Sequence, residues 1–291
     1  MHILVIGKNS YIGSRIKTHL EACGHTATEV DAITDEWKTA DYAGADAVVH
    51  VAAIVHNDAK TASEELFRRV NTDLPVAVAT LAKQAGVKQF IFLSTMAVFG
   101  AEKTLSEDTF TVRADTALTP VTLYGKTKLA AEQQLAALSD ENFTLSVVRP
   151  PNVYGPGCRG NYIYLLKKLS KLLWLCPKCY TTIRQSMLYI DNLSELIRLI
   201  AESRAGGVFL PQDDLAPNTV ELICAIRSVA GKKTHPMGFL GLCVRLFGRL
   251  GIVNKIYGGV CYREADSLCF DGRYRIVSFA EGMENTYRPL S

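Results

Sequence analysis

The sequence predicts an α/β fold: a doubly wound parallel sheet with a smaller, mostly helical C-terminal domain behind it. Three observations predict it. Short apolar runs alternate with segments of helical period through the first half of the chain. A glycine-marked turn joins the first run to the first helix. After Arg149, Pro150-Pro151 and Gly155-Pro156-Gly157 break the alternation, and helices with irregular joints follow.

Each element has its own signal. Residues 3–6 are an uninterrupted apolar run, the mark of a strand buried on both faces. Residues 11–23 carry Ile12, Ile16 and Leu20 at helical spacing. Strands follow at 27–30, 47–52, 89–94 and 144–148, with helices at 64–86 and 123–137 between them. The segment between Asp31 and Ala47 is short, which predicts an abbreviated third strand.

The bulk composition bounds the function. The 291 residues are 48% hydrophobic and 21% charged, ordinary for a globular enzyme with one large domain and a smaller one. A net charge of +3, with Lys and Arg dispersed, carries no nucleic-acid signature. The first apolar run stops at Gly7, too short for a signal-peptide core, and eight scattered cysteines fit reduced thiols in a cytoplasmic protein. Two apolar stretches, 163–175 and 237–253, are broken by Lys167, Lys168, Lys171, Arg245 and Arg249. Neither reaches the ~20 residues that span a bilayer, so no transmembrane segment is expected. Both read as amphipathic helices packed on their own protein, with membrane-surface contact as the alternative.

The turn Gly7-Lys8-Asn9-Ser10-Tyr11-Ile12-Gly13 lies between the first strand and the first helix. Small residues here let a pyrophosphate approach the backbone, with the helix N-terminal amides facing it. Ser10 stands where a middle glycine is usual. The second strand ends at Asp31, whose carboxylate suits two ribose hydroxyls and repels a 2′-phosphate. This favours NAD, while Arg15 keeps NADP possible, and a simple turn cap is the other reading of Asp31. The sheet is then of Rossmann type. The dinucleotide-binding domain covers 1–155, the substrate-binding domain 156–291, and the strand–helix piece 187–201 returns to the first.

Tyr124 and Lys128 project from one face of a helix. An ammonium beside a phenol lowers its pKa and fits it for proton transfer. Such pairs also occur by chance on surface helices. Upstream, the strand ending at Ser94-Thr95 offers a hydroxyl to the oxygen being oxidised or reduced.

Taken in order, these motifs resemble the extended short-chain dehydrogenases/reductases, in the NAD-dependent epimerase/dehydratase family. The resemblance rests on the glycine loop, Asp31, His50-Val51-Ala52-Ala53, Val70-Asn71-Thr72, Ser94-Thr95 before Val98-Phe99-Gly100, and Tyr124 with Lys128. Arg149-Pro150-Pro151-Asn152-Val153-Tyr154-Gly155-Pro156-Gly157 and Tyr189-Ile190-Asp191-Asn192-Leu193 extend it over nearly the whole chain. It implies Tyr124 as acid/base, Lys128 as its partner and Thr95, rather than Ser94, as the assisting hydroxyl. It implies a cofactor held by Gly7, Ser10, Tyr11, Ile12, Gly13, Asp31, Ala52, Ala53, Asn71, Tyr124 and Lys128. It implies a nucleotide sugar meeting Thr95, Asn152, Arg159, Asn161 and Arg184, and a homodimer built through two helices of the large domain.

The implied reaction is transient oxidation at C4 of a UDP-hexose or UDP-N-acetylhexosamine; a 4-keto-sugar reductase and a non-catalytic NAD(P)-binding protein are the alternatives. Met96-Ala97 stand where dehydratases of the family carry Asp-Glu, which argues against 4,6-dehydration. Residues 157–161 and 185–193 are similar to enzymes of bacterial surface-polysaccharide synthesis. Cys176 and Cys179 have half the spacing of a zinc site but no second half, so two unrelated thiols and no metal are expected. His50 reads as a packed structural residue, His25 as the end of a turn, and Asp58 and Glu107 have no assignable partner.

Overall fold

The structure is a computed structural model that describes residues 1–55, 63–100, 109–158, 168, 170–171, 174–248 and 250–288. Its strands, in chain order, are β1 (His2–Ile6), β2 (Thr26–Val30), β3 (Ala47–His50), β4 (Gln89–Leu93), β5 (Phe110–Val112), β6 (Thr144–Val148), β7 (Asn152–Tyr154), β8 (Leu175–Pro177), β9 (Met187–Tyr189), β10 (Gly207–Phe209), β11 (His235–Met237) and β12 (Val260–Tyr262). Six of them form one parallel sheet in the order β10-β6-β4-β3-β1-β2.

Alternation along each strand decides what the two faces bury. Ile3, Val5, Val49 and Ile91 face one way and pack with Ile16 and Leu20 of the Tyr11–Ala22 helix and Leu193 and Ile197 of the Ile190–Ser203 helix. Leu4, Ile6, Val48, Phe90 and Phe92 face the other way, against Leu74, Val78 and Ala82 of the Leu74–Gln84 helix and Ala131 and Leu135 of the Leu123–Ala136 helix. Each such fully buried aliphatic side chain contributes about 1.5–3 kcal/mol, which makes the two faces the main source of stability.

The predicted strands and helices of the first half are present within a residue or two. The segment predicted as one helix over 64–86 is interrupted by a π turn at Arg69–Asp73 between Glu64–Arg68 and Leu74–Gln84. Asn71 lies in this turn. The strand–helix piece 187–201 appears as β9 and the Ile190–Ser203 helix, and a sixth sheet strand, β10, follows it. Two histidine–glutamate hydrogen bonds hold that helix on the first helix and the turn that follows it: His19 Nε2 to Glu195 Oε2 at 2.8 Å, and His25 Nε2 to Glu202 Oε1 at 2.9 Å. Arg198 bridges both carboxylates at 2.6 Å each.

Strand order reverses direction between β1 and β3, which both neighbour β4 or β2 outward from that point. Ligands of open α/β sheets bind at the carboxyl ends of the strands at such a switch. Gly7 follows β1 there, and Val51 to Ala53 follow β3. Among the described residues no helix is long and apolar enough to cross a membrane. Most of the 163–175 stretch lies outside the described residues. The 237–253 stretch departs from the expectation that it packs on its own protein: Gly241 and Val253 are buried, but Phe239, Leu242 and Leu246 face solvent.

Candidate active site

The glycine loop is built around close approaches. Gly7 has φ of +131°, and a Cβ there would fall 2.7 Å from Val51 Cγ2 and 3.1 Å from the Ala52 amide nitrogen. Gly13 is equally tight, with Ser10 Oγ 2.6 Å from where its Cβ would lie. Ser10 caps the first helix, its Oγ accepting from the Gly13 amide at 3.0 Å, so the serine in place of glycine does structural work and keeps its hydroxyl proton for a ligand. Tyr11 and Ile12 open that helix, and the Tyr11 hydroxyl points at Gly155, where a Cβ would come within 2.6 Å of it. Asp31 Oδ1 accepts from the Ile33 and Thr34 amides at 2.7 and 3.4 Å, so the carboxylate does cap its turn. Among the described contacts Oδ2 is left for a ribose. Glycine-only backbone, a partly buried helix N-terminus and a carboxylate at the end of β2 fit a dinucleotide's pyrophosphate and ribose.

Asn71 is tied to the segment after β3. It is fully buried; Oδ1 accepts from the Ile54 amide at 2.9 Å, and Nδ2 donates to the Ile54 carbonyl at 3.1 Å and to Thr127 Oγ1 at 3.2 Å. Both Nδ2 hydrogens and one lone pair of Oδ1 are used within the chain, so Asn71 positions the chain after Ala52-Ala53 and keeps one acceptor position on Oδ1. It also ties that segment to the helix carrying Tyr124, as Thr72 does by donating to the Thr127 carbonyl at 2.8 Å.

That helix begins at Leu123, capped by Thr122, whose Oγ1 accepts from the Gly125 amide at 3.1 Å. Gly125 presses on the Met96–Phe99 turn: its Cβ would lie 2.6 Å from the Ala97 carbonyl oxygen. The closeness sets Tyr124 beside Thr95, and their side chains hydrogen-bond. Thr95 Oγ1 also accepts from the Ala97 amide at 3.1 Å. Burial pushes the Tyr124 phenol up to about 12, with the Thr95 bond pulling it down. Lys128 is one turn on and 1% exposed, donating to the Leu93 carbonyl at 2.7 Å with its Nζ 4.4 Å from the Phe92 ring centre. Burial pulls its ammonium down to about 7, against the pull of Glu132. The lowering of the Tyr124 pKa expected from Lys128 does not outweigh burial, which is the largest effect at both groups.

Glu132, a further turn along the same helix face, completes a buried chain that the sequence reading missed. It accepts from Arg149 Nε at 3.2 Å and Nη2 at 2.6 Å, and from Ser94 Oγ. Ser94 is thus committed to Glu132, which leaves Thr95 as the hydroxyl for chemistry. Arg149 also lies over the Phe99 ring at 5.1 Å. The spacing of Glu132 from Lys128 was the available signal; its partners come from β4 and β6 and are distant in sequence.

The substrate-side residues are less gathered. Asn152 is exposed at the start of β7, next to Pro150, whose carbonyl accepts from the Met96 amide at 3.0 Å. Arg184 pairs with Glu221 at 2.6 Å and also donates to the Ala216 carbonyl, so it must leave Glu221 to hold a diphosphate. Arg159 and Asn161 lie outside the described residues, as do Asp58 and Glu107. A cleft of about 430 Å³ lined by Asp115, Leu118, Arg149, Leu210 and Asp266 contains neither Thr95 nor Tyr124.

Three discounted groups can be placed. His50 is fully buried between Phe90 and Phe92, its pKa lowered to about 3 by burial and by Lys128, a packed residue and not a base. Cys176 and Cys179 are buried thiols, the first pushed up to about 12 by desolvation, and all eight cysteines are free. His25 sits between the first helix and β2, paired with Glu202.

Known proteins bear on this geometry. The pattern of the NAD dependent epimerase/dehydratase family matches residues 3–203. The chain is similar to a UDP-glucose 4-epimerase of Vibrio cholerae, 34% identical over 220 residues, 72% of this chain and 66% of that one. It is also similar to the N-acetyl-alpha-D-glucosaminyl-diphospho-ditrans,octacis-undecaprenol 4-epimerase of Escherichia coli O157:H7, 27% identical over 82% of this chain and 77% of that one. The fold matches that of the UDP-glucuronic acid 4-epimerase of Bacillus cereus, solved with NAD, with a TM-score of 0.72 at 18% identity over 99% of this chain and 95% of that one. With its loop, strand ends and catalytic helix in that order, the chain belongs to the NAD-dependent epimerase/dehydratase family of enzymes, with NAD as cofactor.

Proposed function

We propose that the protein inverts C4 of a UDP-linked hexose or N-acetylhexosamine, in the cytoplasm and in the service of surface-polysaccharide synthesis. The observation that carries this reading is the hydrogen bond between Thr95 and Tyr124, with buried Lys128 one turn behind. NAD, when bound, would supply reversible hydride acceptance at C4, and return of the hydride to the opposite face of the 4-keto sugar gives the inversion. Tyr124 removes the proton from O4 and later returns it, while Thr95 holds the same oxygen by a hydrogen bond. A phenol held at about 12 becomes a base only with positive charge beside it, and Lys128 is the chain's own source of that charge. Glu132 favours the ammonium form of Lys128.

Gly7, Ser10, Tyr11, Ile12, Gly13, Asp31, Ala52 and Ala53 would hold the dinucleotide, and Asn152 and a released Arg184 the substrate. Residues 1–155 with 187–201 serve the cofactor, and 156–291 the sugar nucleotide. A homodimer through the Leu74–Gln84 and Leu123–Ala136 helices is expected. The test is to incubate purified protein with UDP-glucose, UDP-galactose and their N-acetylamino counterparts without external reductant, and to separate products by C4 configuration. Interconversion within a pair, lost in Tyr124→Phe, is the expected result. No conversion, with NAD(P)H consumed on a nucleotide-linked 4-keto sugar, would assign the same residues to a reductase. Light scattering reads the oligomeric state.

A further inference from the structure

The end of the first apolar stretch and the start of the second lie in paired strands. β8 pairs with β11 in parallel, Leu175 opposite His235 and Pro177 opposite Met237, and Arg227 donates to the Ser170 carbonyl at 2.6 Å. Gly241 seats the Gly238–Leu246 helix against the end of β8: a Cβ there would fall 2.1 Å from the Lys178 carbonyl oxygen. That contact fixes the inward side of the helix. Phe239, Leu242 and Leu246, three and four residues apart on its other side, are 73, 60 and 78% exposed. Phe247, Leu250, Ile252 and Trp174 are each more than half exposed as well. Single exposed leucines are ordinary, but an adjacent group of large apolar side chains marks an interaction surface.

Charge on this surface is equally one-sided. No Asp or Glu occurs between Glu141 and Asp191, or between Glu221 and Glu264. Lys171, Lys178, Lys232, Lys233, Arg245 and Lys255 are exposed, and none has a carboxylate partner among the described residues. The ion pairs at the edges of these segments, Arg184 with Glu221 and Arg263 with Asp266, use other cations.

We propose that this surface docks on an anionic phospholipid bilayer. The apolar side chains enter the boundary between headgroups and acyl chains, and the surrounding lysines meet lipid phosphates. The nine-residue helix lies in the interface and does not span it. A second copy of the chain fits worse, because a two-fold contact through this patch sets its cations against themselves. The inference stands on this surface alone and does not depend on the C4 chemistry.

Vesicle co-sedimentation of the full chain tests it, with phosphatidylcholine alone and with phosphatidylcholine mixed with phosphatidylglycerol. The protein is expected to pellet with the anionic vesicles, less so as salt rises, and Trp174 emission in a Trp37→Phe background should shift to the blue. Lys232→Glu/Lys233→Glu should weaken binding by at least about tenfold. Phe239→Ser/Leu242→Ser/Leu246→Ser, all at exposed positions, should abolish it while circular dichroism stays unchanged. Wild-type protein left in the supernatant with anionic vesicles at low salt overturns the proposal, as does equal binding of both vesicle types unaffected by the serine changes. A wild-type dimer that the serine variant breaks, without vesicle binding, overturns it in favour of a second copy.

Discussion

Glu132→Leu strips a buried guanidinium of its carboxylate. The Glu132–Arg149 pair is 7 and 8% exposed, with two N–H donors at 3.2 and 2.6 Å on the carboxylate and the Ser94 hydroxyl on the same group. Removing the acid leaves the Arg149 charge buried without its acceptor, at a cost of about 3–5 kcal/mol. Arg149→Met leaves the opposite charge stranded and should cost a similar amount. Glu132→Leu/Arg149→Met removes both charges together and should return to within about 2 kcal/mol of the parent, because apolar side chains of similar volume replace a desolvated pair. Urea unfolding of all four proteins, followed at once by circular dichroism and tryptophan fluorescence, gives the cycle if the two probes coincide. Single-variant losses below about 1 kcal/mol, or a double variant as unstable as the sum of the singles, would refute the reasoning. The same change has a second readout. Glu132 raises the Lys128 pKa, so without it Lys128 gives up its proton below pH 7 and the alkaline limb of the activity profile moves to lower pH.

Tyr124→Phe should lower turnover by about 10²–10⁴-fold with NAD affinity retained, and Thr95→Val by less, as measured by epimer conversion and NAD titration. Asn71→Ala should raise the dissociation constant for NAD, because Ile54 loses both of its hydrogen bonds to that side chain; unchanged affinity would remove its positioning role. Gly7→Ala forces a Cβ to 2.7 Å from Val51 in a backbone conformation at φ +131°, and the expected loss of NAD binding is read by calorimetry. His50 is held neutral with a pKa near 3 against 6.5 unfolded, so the unfolded state binds the extra proton between those values. Its effect is therefore to lower stability as pH falls below 6.5, by up to about 1.4 kcal/mol per pH unit. The stability gap between the parent and His50→Leu should narrow or invert on going from pH 7 to pH 4.5 in urea titrations.

The middle of the sheet was readable because its strands are buried on both faces: runs such as 3–6 and 90–93 have no polar register to confuse with a helix. The helices were readable from their apolar spacing, and Thr95 was separable from Ser94 by position. Less was legible where a residue's role depends on which strands become neighbours. Glu132 shows its spacing from Lys128 in sequence, but Arg149 and Ser94 reach it only because β4 and β6 pair. Asn71 stands out as a motif residue, yet its commitment to Ile54 follows from a π turn that no hydrophobic period signals. The balance at Tyr124 and Lys128 turned on burial, which residue spacing does not measure. The outward side of the Gly238–Leu246 helix was hidden for a related reason: apolar spacing reports amphipathicity but not whether the apolar side is covered.

The two histidine–glutamate clasps set an order of assembly. The first helix ends at Ala22, while the helix that covers it begins at Ile190 and carries Glu195, Arg198 and Glu202. During synthesis the apolar flank of the first helix therefore stays open until the chain has grown past Ser203, roughly 10–40 s at ordinary elongation rates. The nucleotide-binding half is in this sense finished by the other half of the chain. A nascent chain arrested before Ile190 should expose Ile16 and Leu20, and with them a surface that chaperones hold until the clasp closes.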